Sequence, residues 1–319
     1  MKPFWRLAAT AACSLGLAGI AQAKVDIPNV IRIIVPFSPG ASNDTFGRAI
    51  AKKLTEETGK TFIVENKPGA GGTIGTNEVA KSKGDGATLL FSSSSVVTNT
   101  VGRKLNYNLL KDLSPISVVS KGAMVLVASK ASGLKSLEDL KQALSSGKHM
   151  TYGTPGLGSI AHLASELLMA RSGGKFQNIP YKGVSNAIID MVGGRVDFMI
   201  STPASILGQM KSGDVTTLGV TSAKPSPFLP NVQPVADVYP GYTVDVWWAF
   251  FAPSGTPKEL LDFYNKSINK AISSKDMAAM FARESTQAMH MTAAESRTFI
   301  DAEYKKWHDL AKERHIKLD

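Results

Sequence analysis

The stretch best suited to bind a ligand is 151–172, whose pattern predicts a strand end, a glycine-rich turn and an amphipathic helix. Ser159 stands just before the helical apolar repeat, where an N-cap belongs. The first N–H groups of a helix have no intrahelical acceptor, and glycines such as Gly158 let a ligand approach the main chain. The turn therefore suits an anion, with Thr154 and Ser159 as further donors. An ordinary capped turn explains these residues about as well.

A second stretch, 31–50, has the same order of strand, turn and helix. Its β-branched strand ends in a turn of proline, glycine and serine, after which the apolar spacing predicts a helix over 43–58. Two such turns can face each other across a ligand. Strands predicted over 88–91 and 196–200 also run into hydroxyl residues, among them Ser93, Ser94 and Thr202. Open α/β sheets bind ligands at the carboxyl ends of strands, although polar surface loops have the same composition.

Two aromatic features leave alternatives open. His162 falls in the first turn of the helix after Ser159, where its ring either reaches a bound anion or caps and packs within the chain. A cation there is unfavourable unless an anion is present. Trp247 and Trp248 lie in a strongly apolar strand predicted over 242–252. One of this pair could stack on an aromatic acid, but packing in the core is the commoner role.

Signatures of catalysis and metal binding are missing from the sequence. It contains no G-x-S-x-G, H-E-x-x-H or paired C-x-x-C motif, and its five histidines do not cluster. The glycines of 66–75 fit a dinucleotide fingerprint only loosely, because Pro68 interrupts the strand-to-helix junction and no acidic residue follows at the expected distance. A loop that packs or lines a pocket is the better interpretation. We therefore predict no catalytic residue, no metal and no cofactor.

The N-terminus predicts export. Residues 1–23 combine a basic start, an apolar run too short to span a bilayer and an A-x-A site ending at Ala23, as in a cleaved signal peptide. The single cysteine, Cys13, lies in this segment, so the mature protein should contain no thiol, disulfide or lipid. Removing two basic and no acidic residues changes the net charge from +10 to +8. This surplus favours anionic ligands, while the scatter of basic residues argues against nucleic acid.

Alternating strand and helix patterns after this leader predict an α/β fold with a largely parallel sheet. We place a first crossing between domains near Lys121 and a return in the apolar strand 242–252. Ser136 and Thr292 begin capping boxes, and Thr256 precedes a proline in a pattern typical of an N-cap. The C-terminal quarter is predicted to be wholly helical and to serve packing.

Five segments occur in order: IVPFSPGASND (34–44), VENKPGAGG (64–72), YGTPGLGSIAHL (152–163), PYKG (180–183) and GGRVD (193–197). Together they resemble the motifs of the Bug receptors, periplasmic solute-binding proteins of tripartite tricarboxylate transporters, over essentially the whole mature chain. The resemblance implies a two-domain periplasmic binding protein of the Venus flytrap type, type II-like, with a mixed or parallel sheet flanked by helices in each domain. It also implies a non-catalytic monomer that delivers a small carboxylate to a two-component membrane permease. An exported enzyme and a chemosensory co-receptor of the same fold are the competing classes.

On this resemblance, 24–121 plus 244–319 form the first domain and 122–243 form the second. The family holds a ligand carboxylate between the loop after the first strand and the glycine-rich loop of the second domain. The matching residues are Phe37, Ser38, Gly40, Ala41, Ser42, Asn43 and Asp44 on the first loop and Thr154, Gly158, Ser159 and His162 on the second. Ser93, Ser94, Thr202 and Trp248 complete the predicted site. The chain departs from the family pattern at Ala41, where glycine is usual, and at Ala87, where tyrosine is customary.

Overall fold

The computed structural model describes residues 26–40 and 42–318, so the predicted signal peptide, Cys13 and Ala41 lie outside the described residues. The described chain forms two β-sheets flanked by helices, which confirms the predicted α/β architecture. Amphipathic helices follow most of the apolar strands and cover the sheet faces. Within the described ranges, no helix is both long enough and apolar enough to span a bilayer.

The strands are β1 (Val30–Val35), β2 (Thr61–Asn66), β3 (Thr88–Ser93), β4 (Leu113–Ala123), β5 (Val125–Ser129), β6 (Met150–Thr154), β7 (Phe176–Pro180), β8 (Phe198–Ser201), β9 (Val215–Val220), β10 (Asp245–Pro253) and β11 (Gln287–Ala288). The helices are α1 (Ser42–Thr58), α2 (Thr73–Ala80), α3 (Ser95–Thr98), α4 (Leu109–Asp112), α5 (Leu137–Ser145), α6 (Ile160–Ser172), α7 (Val184–Val192), α8 (Pro203–Ser212), α9 (Lys258–Ile272), α10 (Lys275–Arg283) and α11 (Ala293–Arg314).

The first sheet has the strand order β11-β4-β10-β3-β1-β2. β1 pairs in parallel with β2 and β3, whereas β10 runs antiparallel to β3 and β4. The carboxyl ends of β1 and β3 therefore lie side by side, next to the start of β10. We call this sheet, with α1–α4 and α9–α11, the first lobe.

The second sheet has the order β7-β6-β8-β5-β9. β6 pairs in parallel with β7 and β8, and β5 runs antiparallel to β8 and β9. Thr154 and Ser201, which end β6 and β8, consequently lie at one edge of this sheet. With α5–α8 it forms the second lobe. Both sheets are mixed, which is one of the two arrangements that the resemblance implied, whereas the alternation of strands and helices predicted a largely parallel sheet.

The hydrophobic core is continuous between the lobes on one side. Buried residues of the first sheet and α11 belong to the same apolar cluster as α6, and a second, smaller cluster covers the other face of the second sheet. Trp247 of β10 and Trp307 of α11 are fully buried, and both donate their indole N–H to Glu303 Oε2, at 3.2 and 3.1 Å. The ring of Trp247 is therefore a core element that ties β10 to α11.

Over residues 42–318, the chain passes between the lobes twice, and the fully buried Thr221 joins both passages. Its N–H donates to Met124 O at 2.9 Å, and its Oγ1 accepts from Met124 N–H at 2.7 Å. The same hydroxyl donates to Val244 O at 2.7 Å, and Val244 N–H donates to Thr221 O at 2.8 Å. Met124 separates β4 from β5, close to the crossing predicted near Lys121.

Thr221→Val is expected to lower the free energy of unfolding by about 1–2 kcal/mol, because valine keeps the shape but leaves the buried N–H of Met124 without its partner. Urea unfolding of purified protein measures the change. Thr216→Val in β9, the strand that ends just before Thr221, is the control, since its hydroxyl contacts Lys130 near the surface and its loss should change stability by less than about 0.5 kcal/mol. Equal midpoints for the two variants would contradict the role of Thr221.

Two details of the C-terminal half differ from the sequence predictions. Thr256 is not an N-cap, because its Oγ1 donates to Pro253 O at 2.8 Å and closes the turn before α9, which has Pro257 at its N-cap position. The C-terminal quarter is not wholly helical either. Gln287 and Ala288 form β11, which pairs with β4 at the sheet edge. A two-residue strand has no periodicity from which to predict it.

Candidate functional site

The loop after β1 is held by the carboxylate of Asp44 in the first turn of α1. Asp44 is buried, and its oxygens accept hydrogen bonds from Gly40 N–H, Asn66 Nδ2 and Arg48 Nε, each at 2.9 Å. Asn66 Nδ2 also donates to Phe37 O at 3.0 Å. Burial alone would raise the pKa of Asp44, but the three donors outweigh it and lower the pKa below its usual value. Asp44 is thus a fixed anion that shapes the loop.

The remaining residues of this first loop differ in exposure. The exposed or half-buried ones are Phe37, Ser38 and Gly40. Ser42 begins α1, and its Oγ donates to Glu284 Oε2 at 2.8 Å. Asn43 is buried, and its Oδ1 has no hydrogen-bond partner among the described residues. The first N–H groups of α1 have no intrahelical acceptor and lie beside these side chains.

The glycine-rich loop after β6 is held by Ser159 and His162. Ser159 caps α6 as predicted, since its Oγ accepts from His162 N–H at 3.3 Å and donates to Gly156 O at 2.7 Å. The ring of His162 is buried, and its Nδ1 accepts from Gly158 N–H at 3.3 Å. Burial lowers the pKa of His162 to about 4. The ring is therefore neutral at pH 7 and packs within the loop, in agreement with the second interpretation of this residue.

Polar residues end the strands of the second lobe beside this loop. Thr154 is fully buried, and its Oγ1 donates to Asn178 Oδ1 at 2.9 Å. Thr202 precedes α8, and its hydroxyl lies 2.7 Å from Ser205 Oγ. In the part of the chain that the structure describes, Asn178 Nδ2 and the buried Ser201 Oγ have no partner. Hydrogen-bonding capacity therefore remains unused at the carboxyl ends of these strands.

The lobes touch where α3 meets the glycine-rich loop. Thr98 Oγ1 donates to Gly158 O at 2.7 Å. The amide of Asn99 lies between two glycine loops, with Nδ2 donating to Gly71 O and Oδ1 lying 3.0 Å from the position of a Cβ on Gly158. Gly158 also has φ +78°, a conformation that favours glycine. Since α3 begins directly after Ser94, the predicted serine site is continuous with this contact.

Buried polar atoms without partners surround the start of β10. Those in the first lobe, among the described residues, include Asn43 Oδ1, Ser94 Oγ, Ser120 Oγ and Trp248 Nε1. The sheet register places Ser93 and Ser120 on either side of Trp248, whose ring packs edge-on against Phe46 of α1 at 5.0 Å. Buried polar groups are nearly always paired, so this group indicates bound water or a ligand. Trp248 thus packs in the core by its ring while its N–H remains available.

The site predicted from the sequence omits several polar residues of this region: Asn66, Ser120, Asn178 and Glu284. Asn66 is the last residue of β2, and the rule that ligands bind at strand ends would have included it, as it included the hydroxyl residues from Ser201 at the end of β8. Glu284 follows α10, far away in the sequence, and nothing local marks it. Two cavities, of about 460 and about 430 Å³, lie elsewhere and are lined by none of the predicted residues.

Two α/β lobes joined by crossing strands, with polar loops where they meet, define a periplasmic binding protein fold. A structure of R. palustris Rpa4515 with adipate has 27% sequence identity and a TM-score of 0.82, covering 90% of this chain and 98% of that chain. The structure of the periplasmic binding protein BugD has 27% identity and a TM-score of 0.79, with the same coverage.

Sequence comparison gives the family. Protein BugT of Bordetella pertussis (strain Tohama I) is 35% identical over 321 residues, which cover 98% of each chain. The model of the TctC family, the tripartite tricarboxylate transporter family receptor, matches residues 46–316. The chain belongs to this family, and the resemblance to Bug receptors is confirmed.

Proposed function

We propose that the protein is a non-catalytic receptor that captures a small aliphatic or aromatic carboxylate between its lobes and delivers it to a two-component membrane permease. The observation that carries the proposal is the set of buried, unpaired polar atoms at the junction of α1, β3 and β10. The Ser94 hydroxyl and Trp248 N–H are donors that a carboxylate can use. Asn43 Oδ1 is an acceptor and would bind water or a ligand hydroxyl.

The binding residues divide into those that hold the loops and those that contact the ligand. The N–H groups of Gly40 and Gly158 already donate to Asp44 and His162, so these four residues position the two loops. The ligand carboxylate then bonds to the free N–H groups in the first turns of α1 and α6 and to the hydroxyls of Ser42 and Ser94. Helix N-termini favour an anion there. Ser159 instead holds the glycine-rich loop, because its hydroxyl proton is already donated to Gly156 O. Several charge-assisted bonds are needed, because burying a carboxylate otherwise costs several kcal/mol.

Ligand binding favours the state in which the lobes are together. Donors on the first loop and on the glycine-rich loop belong to different lobes, so all of them engage one ligand only when the cleft is closed. We further propose that the protein is a periplasmic monomer, cleaved after Ala23, with domains of 24–121 plus 244–319 and 122–243.

Carboxylates should stabilise the purified mature protein. A ligand present at a thousand times its dissociation constant adds about 4 kcal/mol to the free energy of unfolding. A thermal-shift screen at neutral pH with adipate, succinate and benzoate measures this effect, and adipate is included because the related Rpa4515 structure contains it. The fully esterified form of each active acid, which is the dimethyl ester for the two diacids, is the control and should produce no shift, because it lacks the charge. Equal shifts from acid and ester, or none from any carboxylate, would refute the proposal.

Absence of catalysis is tested on the same samples. The purified protein is incubated with each stabilising acid, and the acid is followed by NMR. We expect it to be recovered unchanged. Conversion of the acid would instead establish an exported enzyme with this fold.

A further inference from the structure

The turn after α10 places a carboxylate of the chain itself at the start of α1. Glu284 is half-buried and accepts the hydrogen bond from Ser42 Oγ at 2.8 Å. Within the described ranges, Glu284 forms no ion pair with lysine, arginine or histidine. The side chain is therefore held by a hydroxyl and by the favourable field of a helix N-terminus, which are the features proposed to hold the ligand.

The turn after α10 packs tightly against β4, the strand that leads to the second lobe. Ser285 has φ +56°, and Thr286 N–H donates to Phe281 O at 2.8 Å. A Cβ added to Gly122 of β4 would lie 2.6 Å from Ser285 O. Gly122 and Ser285 also line the cavity of about 460 Å³, whose opposite wall comes from 222–228. A displacement of Glu284 would thus be transmitted directly to the crossing strand.

We propose that Glu284 is an internal competitor for the ligand carboxylate. Without a ligand, the carboxylate of Glu284 accepts the hydrogen bond from the Ser42 hydroxyl. An incoming ligand carboxylate takes over this hydrogen bond and displaces the side chain of Glu284. Two carboxylates at one helix start weaken each other's binding, because unit charges about 4 Å apart repel by about 1 kcal/mol even in water. When the side chain of Glu284 is displaced, the turn at Ser285 can move away from Gly122 of β4. Ligand binding is thereby coupled to the position of β4, the strand that leads to the second lobe. This inference rests on the proposed function.

Glu284→Gln should tighten carboxylate binding, because glutamine keeps the size of the side chain and removes its charge. We expect a dissociation constant roughly fivefold lower at low ionic strength, the equivalent of about 1 kcal/mol. Isothermal titration with adipate, succinate and benzoate measures it. The gain should shrink as salt rises, since screening weakens the repulsion in the wild type. A merely structural role of Glu284 would not produce this salt dependence.

Asp276→Asn is the matched control. It removes one negative charge from the start of α10, the helix that Glu284 follows. Asp276 pairs there with Lys53, and its substitution should leave affinity within about twofold of wild type. Weaker binding by Glu284→Gln would overturn the inference, because it would make Glu284 an acceptor for a donor group of the ligand. Unchanged binding would overturn it as well. If the wild type binds none of the acids, the proposed function itself fails.

Discussion

Asp44→Asn should weaken carboxylate binding roughly a hundredfold and lower the free energy of unfolding by about 3 kcal/mol. An asparagine turns an N–H₂ group toward Gly40 N–H, Asn66 Nδ2 or Arg48, all of which are donors. Hydrogen bonds to a charged acceptor contribute about 1.5–3 kcal/mol each, and the half-exposed Arg48 adds little. The first loop then loses its fixed main-chain geometry. We expect a roughly hundredfold loss of affinity, the equivalent of about 2.8 kcal/mol.

The pH dependence of stability identifies the charge of Asp44 as the cause. Its pKa is lowered in the folded state, so its contribution is fully present above the unfolded value, about 4, and is lost as pH falls through the folded value. Urea unfolding should therefore show a difference between wild type and Asp44→Asn that is largest at neutral pH and shrinks in acid. Asp309→Asn, at an exposed position of α11, is the control and should follow the wild type. A difference independent of pH would contradict the assignment.

The elements of the fold could be predicted because their signals are local. Apolar residues that change from a period of two to one of 3.6 mark each strand and the helix after it. Ser136, Ser159 and Thr292 cap the helices that the sequence assigns to them, each accepting from an N–H three residues later. Thr256 has the same local pattern, yet its hydroxyl donates a hydrogen bond to the carbonyl of Pro253 in the preceding turn. A cap prediction weighs residue types but not competing acceptors.

The arrangement of the site could be predicted only in part, because it depends on residues far apart in the sequence. The two loops that position α1 and α6 are visible as motifs. The role of Asp44 as the hydrogen-bond acceptor that holds its loop is not visible, since it depends on a hydrogen bond from Asn66 at the end of β2. His162 was open to two roles until the fold showed its ring accepting from Gly158. Glu284 reaches Ser42 only because α10 packs beside α1, where Phe281 contacts Phe46.

Ser94→Ala should stabilise the unliganded protein while it weakens carboxylate binding. The hydroxyl of Ser94 is fully buried and has no partner among the described residues. Although Ser94 precedes α3, its hydroxyl accepts no hydrogen bond from the N–H groups of that helix. Removing an unsatisfied buried hydroxyl relieves its desolvation penalty, so the free energy of unfolding should rise by about 1 kcal/mol. If that hydroxyl donates to the ligand, affinity should fall roughly tenfold or more, because a charge-assisted bond is lost. Urea unfolding and isothermal titration measure the two effects separately.

Ser129→Ala is the matched control, because it makes the same substitution at a hydroxyl that is equally buried but satisfied. Ser129 Oγ accepts from Ser132 N–H at 3.1 Å, so its removal should lower the free energy of unfolding by about 1 kcal/mol and leave binding unchanged. Opposite signs in the two variants would show that Ser94 is kept for binding at the expense of stability. If Ser94→Ala instead destabilises the empty protein and binds carboxylates normally, its hydroxyl serves the fold and the ligand lies elsewhere.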